Sequence, residues 1–145
     1  MASVHPLALL EAAAEVLAAD ALPTGYVTER GQDDGTKQSN AVRVVADSIA
    51  PEPGLEGTGN WQARLRVIVH TNAHDSTHAD HLANCQTVFD AFVVDDIASQ
   101  LTAALSGFTC LFAYFGPGDQ SRTNESWEDS VSIECRIACA DLSGF

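Results

Sequence analysis

Apolar positions along the chain change period several times, and each change marks an element. Over residues 3–21 they recur at helical spacing. Leu7, Leu10, Ala14 and Leu17 form one stripe, Ser3 is placed to cap, and Pro6 falls in the first turn. Leu22-Pro23-Thr24-Gly25 ends this helix. A short Tyr26-Val27-Thr28 segment follows, then a polar stretch over residues 29–40 that reads as a loop. Residues 41–49 alternate as a strand, and the Pro- and Gly-rich stretch over 50–60 reads as a second loop. Residues 61–71 alternate most clearly. Trp61, Ala63, Leu65, Val67 and Val69 point one way, and Gln62, Arg64, Arg66, Ile68 and His70 the other.

Helical spacing then returns. Asp75, Ser76 or Thr77 caps a helix over 78–92 whose buried stripe is Leu82, Cys85, Phe89 and Phe92. Val93-Val94-Asp95-Asp96 breaks it, and a second segment over 97–105 buries Ile97, Leu101 and Leu105 before Gly107. An aromatic-rich strand over 108–115 leads to Gly116-Pro117-Gly118-Asp119, which turns the chain into an exposed polar loop ending near residue 129. The last strand covers 130–142, with Val131, Ile133, Cys135, Ile137 and Cys139 on one side. This order predicts a single α+β domain over residues 1–145. A mainly antiparallel sheet of about four strands packs against an N-terminal helix and a long central helix with a break.

Composition narrows the function. The 145 residues are 46% hydrophobic, enough for a core. Seven Lys and Arg stand against 20 Asp and Glu, a net charge of −13, so the chain does not attract nucleic acid or anionic lipid in bulk. No run approaches the ~18 apolar residues of a membrane span. Glu11 and Glu15 interrupt the N-terminal apolar run, and no basic residue precedes it, so it does not read as a leader. The expectation is a protein that is soluble and intracellular when made. The four cysteines read as small buried hydrophobes of a reducing compartment; Cys135 and Cys139 share a strand face but stand about 13 Å apart.

Four of the five histidines fall in His70-Thr-Asn-Ala-His74-Asp-Ser-Thr-His78-Ala-Asp-His81. On a continuous helix His74, His78 and His81 would share a face able to hold Zn²⁺ or Ni²⁺, with Asp75 or Asp80 as a further ligand or orienter. The competing reading is a polar turn and helix cap, because Asp75-Ser76-Thr77 is a helix start and places His74 outside. No metal, cofactor or catalytic residue is therefore assigned. The sequence carries no nucleophile elbow, no phosphate loop and no His-Glu-x-x-His. The paired carboxylates Asp95-Asp96 and Glu128-Asp129 read as cap or surface features. Arg64 and Arg66, with Arg43 on the neighbouring strand, could form a basic strip for an acidic surface of another copy. Cross-strand pairing with Glu134 is the equal alternative.

Three segments carry a resemblance: Gln62-Ala-Arg-Leu-Arg-Val-Ile-Val-His70, the helical region 78–105, and Trp127-Glu-Asp-Ser-Val-Ser-Ile-Glu-Cys135. In order and size the chain resembles the small neck and tail-completion proteins of tailed bacteriophages, above all the tail terminators. That resemblance implies a structural virion protein and not an enzyme. It implies a homo-oligomeric ring, typically a hexamer, that caps the tail tube and joins it to the neck at the tail–neck junction, after assembly in the host cytoplasm. Its partners would be further copies, the tail tube protein and a neck or connector protein. DNA would pass through an acidic channel without specific binding, and no membrane would be involved. The alternatives are another head–tail connector, a sheet-dimerising ligand-binding domain, or a small metal-binding protein or metal enzyme using the His70–His81 cluster.

Overall fold

The computed structural model describes residues 6–30, 40–51, 60–74, 76–104, 108–116 and 118–139. Its elements are α1 (Pro6–Asp20), β1 (Val27–Arg30), β2 (Ala41–Pro51), β3 (Asn60–Asn72), α2 (His78–Phe92), α3 (Ile97–Ala104), β4 (Phe108–Gly116), β5 (Gln120–Arg122) and β6 (Ser126–Cys139). The fold is α+β, with one sheet ordered β1-β2-β3-β6-β4 and β5 also paired to β6. Among the described residues every pairing is antiparallel except β1 with β2.

β3 and β6 form the spine, in unbroken register from Asn60 opposite Ala138 to Asn72 opposite Ser126. Their inward residues, Ala63, Leu65, Val67 and Val69 with Ile133, Cys135 and Ile137, join Val42, Val44 and Ala46 of β2 in the core. The helices cover this face with Leu10, Ala13, Ala14 and Ala18 of α1, Cys85, Val88 and Phe92 of α2, and Ile97 and Leu101 of α3. The alternation in residues 61–71 forces this arrangement, because one face of β3 must meet an apolar layer.

Two strand irregularities free backbone groups, and helix side chains take them up. Register shifts between Ala46 and Ser48 of β2, and Glu11 of α1 accepts from the Ala46 N–H at 2.9 Å. Register also shifts between Cys110 and Phe112 of β4, where Thr102 of α3 accepts from the Cys110 N–H at 2.9 Å. Each helix is thereby pinned to its strand by a satisfied buried donor.

Several expectations change. Among the described residues the sheet holds six strands rather than about four. β1 lies where residues 29–40 read as loop from Glu29 onward, and β5 where residues 120–129 read as polar. Gly116–Asp119 does not reverse the chain. β4 and β5 pair along the same β6 strand, Gly116 opposite Ser132 and Gln120 opposite Asp129. The reversal comes at Thr123–Ser126, where Thr123 N–H donates to the Ser126 carbonyl at 3.0 Å. β6 accordingly begins at Ser126 rather than 130. α2 turns His81, Cys85, Val88 and Phe92 inward, so Leu82 is exposed and Phe89 only part-buried. The expected cap Ser3, Leu105, Gly107, residues 31–39 and 52–59 of the expected loops, and residues 140–142 lie outside the described residues.

Candidate functional site

The start of α2 meets the lower end of the sheet in a buried polar network. Thr77 is the N-cap, in extended backbone, and its Oγ1 accepts from the Asp80 N–H at 3.1 Å. That cap sets the phase of the helix and points His81 inward. The His81 ring is fully buried, and both nitrogens are engaged. Nδ1 lies 2.6 Å from Thr71 Oγ1, and Nε2 lies 2.9 Å from Asp129 Oδ1. Thr71 in turn hydrogen-bonds the Tyr26 hydroxyl, which accepts from Asn84 Nδ2 at 3.3 Å. On the other side Arg122 Nη1 meets Asp129 Oδ1 at 2.5 Å, and its Nε donates to His78 Nε2 at 3.1 Å. Trp127 lies against both imidazoles, with centroids 5.3 Å from His78 and 5.7 Å from His81.

Burial raises the Asp129 carboxyl, but the hydrogen bonds from Arg122 and His81 outweigh it and hold the group below its ordinary value. Cys85 Sγ lies 3.5 Å from His81 Nε2. Burial first, and the Asp129 charge second, push this thiol up to about 12. Cys85, His81 and Asp129 are the residue types of a thiol protease triad, but they lack its geometry. The thiol and the carboxylate face the same imidazole nitrogen, whereas general-base activation needs one on each. A protonated thiol in a closed core is also not a nucleophile.

The histidine face that a continuous helix would give is therefore not assembled, and the polar turn with its cap is what forms. His74 sits in the exposed turn before the helix, where its N–H donates to Asn72 Oδ1 at 3.0 Å. His78 is the exposed first residue of α2, stacked with its ring centroid 6.2 Å from that of His81. Asp80 is exposed in the first turn, and Asp75 lies outside the described residues. Asp129, read as a surface feature, is buried, and it is the residue that sequence reasoning missed. Its signal was its place in a strand, where Asp129 pairs with Val69 and its neighbours alternate between the two faces. Asp95 and Asp96 are exposed at the junction of α2 and α3, as expected.

The opposite face of the sheet carries Arg43, Arg64 and Arg66, as the alternation predicts. Each has an acidic neighbour within the chain. Arg43 Nη2 donates to Glu29 Oε1 at 2.7 Å in a mostly buried pair, and Arg64 Nε to Glu134 Oε1 at 2.6 Å. Arg66 approaches Asp119 at 3.9 Å. Arg43, Arg66, Asp119 and Glu128 line an open cavity of about 190 Å³ with mixed charge. At the sheet margin, β4 is an edge strand with Leu111, Tyr114 and Phe115 exposed by 48, 58 and 40%.

No protein-family model matches the chain, and no curated protein sequence does. Among solved structures it is similar to a chain from the "Virion of native gene transfer agent (GTA) particle". The TM-score is 0.62 at 18% identity, over 93% of this chain and 99% of that one. At that identity the two share a fold across nearly their whole lengths.

Proposed function

We propose that this protein is a structural subunit of a tailed-phage-like virion, a tail terminator that forms a ring between tail tube and neck. The observation that carries the reading is the fold shared end to end with a chain of a virion particle, with coverage above nine-tenths on both sides. The phage neck pattern of the sequence points the same way. Two physical features support it. β4 is a long edge strand with no charged or proline residue from Phe108 to Gly116, and three large apolar side chains on it face solvent. Edge strands of stable monomers are normally blunted by charge, proline or cover, and one without charge or proline, uncovered among the described residues, suits a subunit that meets another chain there. The charge of −13 suits a ring wall past which DNA slides without adhering.

On this reading the protein is not an enzyme, and it works by geometry alone. Copies associate head to tail, which closes a ring when the rotation closes. The two faces of the ring take the tube and the neck. Native mass spectrometry of the purified protein, alongside immunogold labelling of purified particles, tests this. The expected result is a hexamer, with gold at a single locus where head meets tail. A protein that stays monomeric at high concentration and is missing from the particles sinks the reading. A label on the head–tail joint with a different ring size favours another connector role.

A further inference from the structure

Among the described residues, one group of three potential metal ligands converges. His81, Cys85 and Asp129 are all buried, and their donor atoms lie within 4.8 Å of one another. We propose that His81 Nε2, Cys85 Sγ and Asp129 Oδ1 form a binding site for one divalent transition metal of the zinc type, joining α2 to β6. This site stands apart from the assembly role.

The donor set and its spacing carry the argument. An imidazole, a thiolate and a carboxylate are ligands that zinc accepts together. A tetrahedral ion with bonds of ~2.0–2.1 Å to nitrogen and ~2.3 Å to sulfur holds those atoms about 3.5 Å apart, and Sγ and Nε2 here are 3.5 Å apart. The carboxylate oxygen, at 2.9 Å from Nε2, needs to draw back only a few tenths of an ångström. The shell behind the ligands is in place. Thr71 fixes the imidazole through Nδ1, Tyr26 holds Thr71 in turn, and Asn84 donates to the Tyr26 hydroxyl. The Thr71 and Tyr26 hydroxyls can each donate or accept. The chain can therefore reverse, so that Nδ1 carries the proton and Nε2 offers its lone pair. The thiol proton leaves to solvent when the ion arrives.

Arg122 sits where the ion's charge would act. Its guanidinium lies 2.5 Å from the same Asp129 oxygen, and its side chain is 32% exposed. It can swing into water and open the fourth position on the solvent side, beside His78. Arg122 is thus a resident cation that competes with the metal, so removing it strengthens binding.

Titration of the purified full chain with Co²⁺ tests this. The expected result is one ion per chain, with the visible bands of a tetrahedral site and a thiolate-to-cobalt charge-transfer band. Cys85→Ala abolishes that band and weakens binding by about tenfold or more. Cys85→Ser gives the same comparison if the alanine variant loses its far-UV circular dichroism. Arg122→Gln removes a positive charge beside the ion and tightens binding by about tenfold. Uptake without the charge-transfer band, or uptake unchanged by both Cys85 variants, puts the ion on exposed imidazoles such as His74 and overturns the proposal. No uptake by either the wild type or Arg122→Gln overturns it as well.

Discussion

His81 is held at both nitrogens by partners far apart in sequence, so its loss costs more than its size. Replacing it with Ala empties a fully buried site and leaves Thr71 and Asp129 each short of a partner. The cavity and the two stranded groups together cost about 3 kcal/mol. Urea unfolding of His81→Ala should show that loss with an unchanged m-value, and a loss under about 1 kcal/mol contradicts the network. A second residue is held by space alone. A Cβ on Gly118 would stand 1.8 Å from the Ser130 carbonyl oxygen, which is backbone and cannot rotate away. Gly118→Ala must therefore part β6 from the Asp119 segment, where Ser130 N–H donates to the Asp119 carbonyl at 2.9 Å. It should cost about 1–3 kcal/mol, visible as a lowered melting temperature in circular dichroism. At this scale the sequence showed the chemistry but not the partners. The cap at Thr77 was legible because its residues are local. The pairing of His81 with Asp129 was not, because 48 residues separate them and only the sheet brings them together.

Elements were legible where one face is buried and illegible where neither is. β3, β6 and α3 alternate or repeat at their proper periods because each packs on the core. Leu101 is fully buried in α3, as its spacing predicts. Leu101→Asp places a carboxylate there with no partner of opposite charge in that apolar layer, costing several kcal/mol. The variant should lose its cooperative thermal transition, and a native-like transition would show that the α3 face is misassigned. All three β5 residues are exposed, so no alternation marks it, and only pairing with β6 makes it a strand. β1 shows neither face fully buried and leans on β2 through four parallel pairs. Gly116 to Asp119 has the composition of a turn but serves as an interruption in one long hairpin arm. Composition reports where the backbone bends, not whether it reverses. In α2 the stripes 82-85-89-92 and 81-85-88-92 both fit a helix. Hydrophobicity alone favours the first, yet the hydrogen bonds available to His81 select the second.

At the scale of the molecule, the proposed assembly would set two terms against each other: an exposed apolar edge that attracts and a charge of −13 that repels. Copies in the proposed ring would bring like charge together, and that repulsion acts across solvent over roughly a Debye length, about 10 Å at 0.1 M salt. A contact through the β4 edge would be apolar and little screened, and it would strengthen with salting-out ions. The oligomer fraction of the purified protein should therefore rise from low salt to physiological salt, the reverse of an association held by ion pairs. Lysine at Tyr114, which is 58% exposed on the edge strand, should cut that fraction at every salt concentration while leaving the thermal transition of the subunit in place. The net charge falls by only one unit per chain, so a lysine there tests the edge rather than the repulsion. Sedimentation velocity on both proteins across a salt series decides the matter. A rising curve for the wild type and a depressed one for Tyr114→Lys place the contact on β4. A wild-type curve that falls with salt instead assigns association to the opposite sheet face, where Arg43, Arg64 and Arg66 lie among their carboxylates.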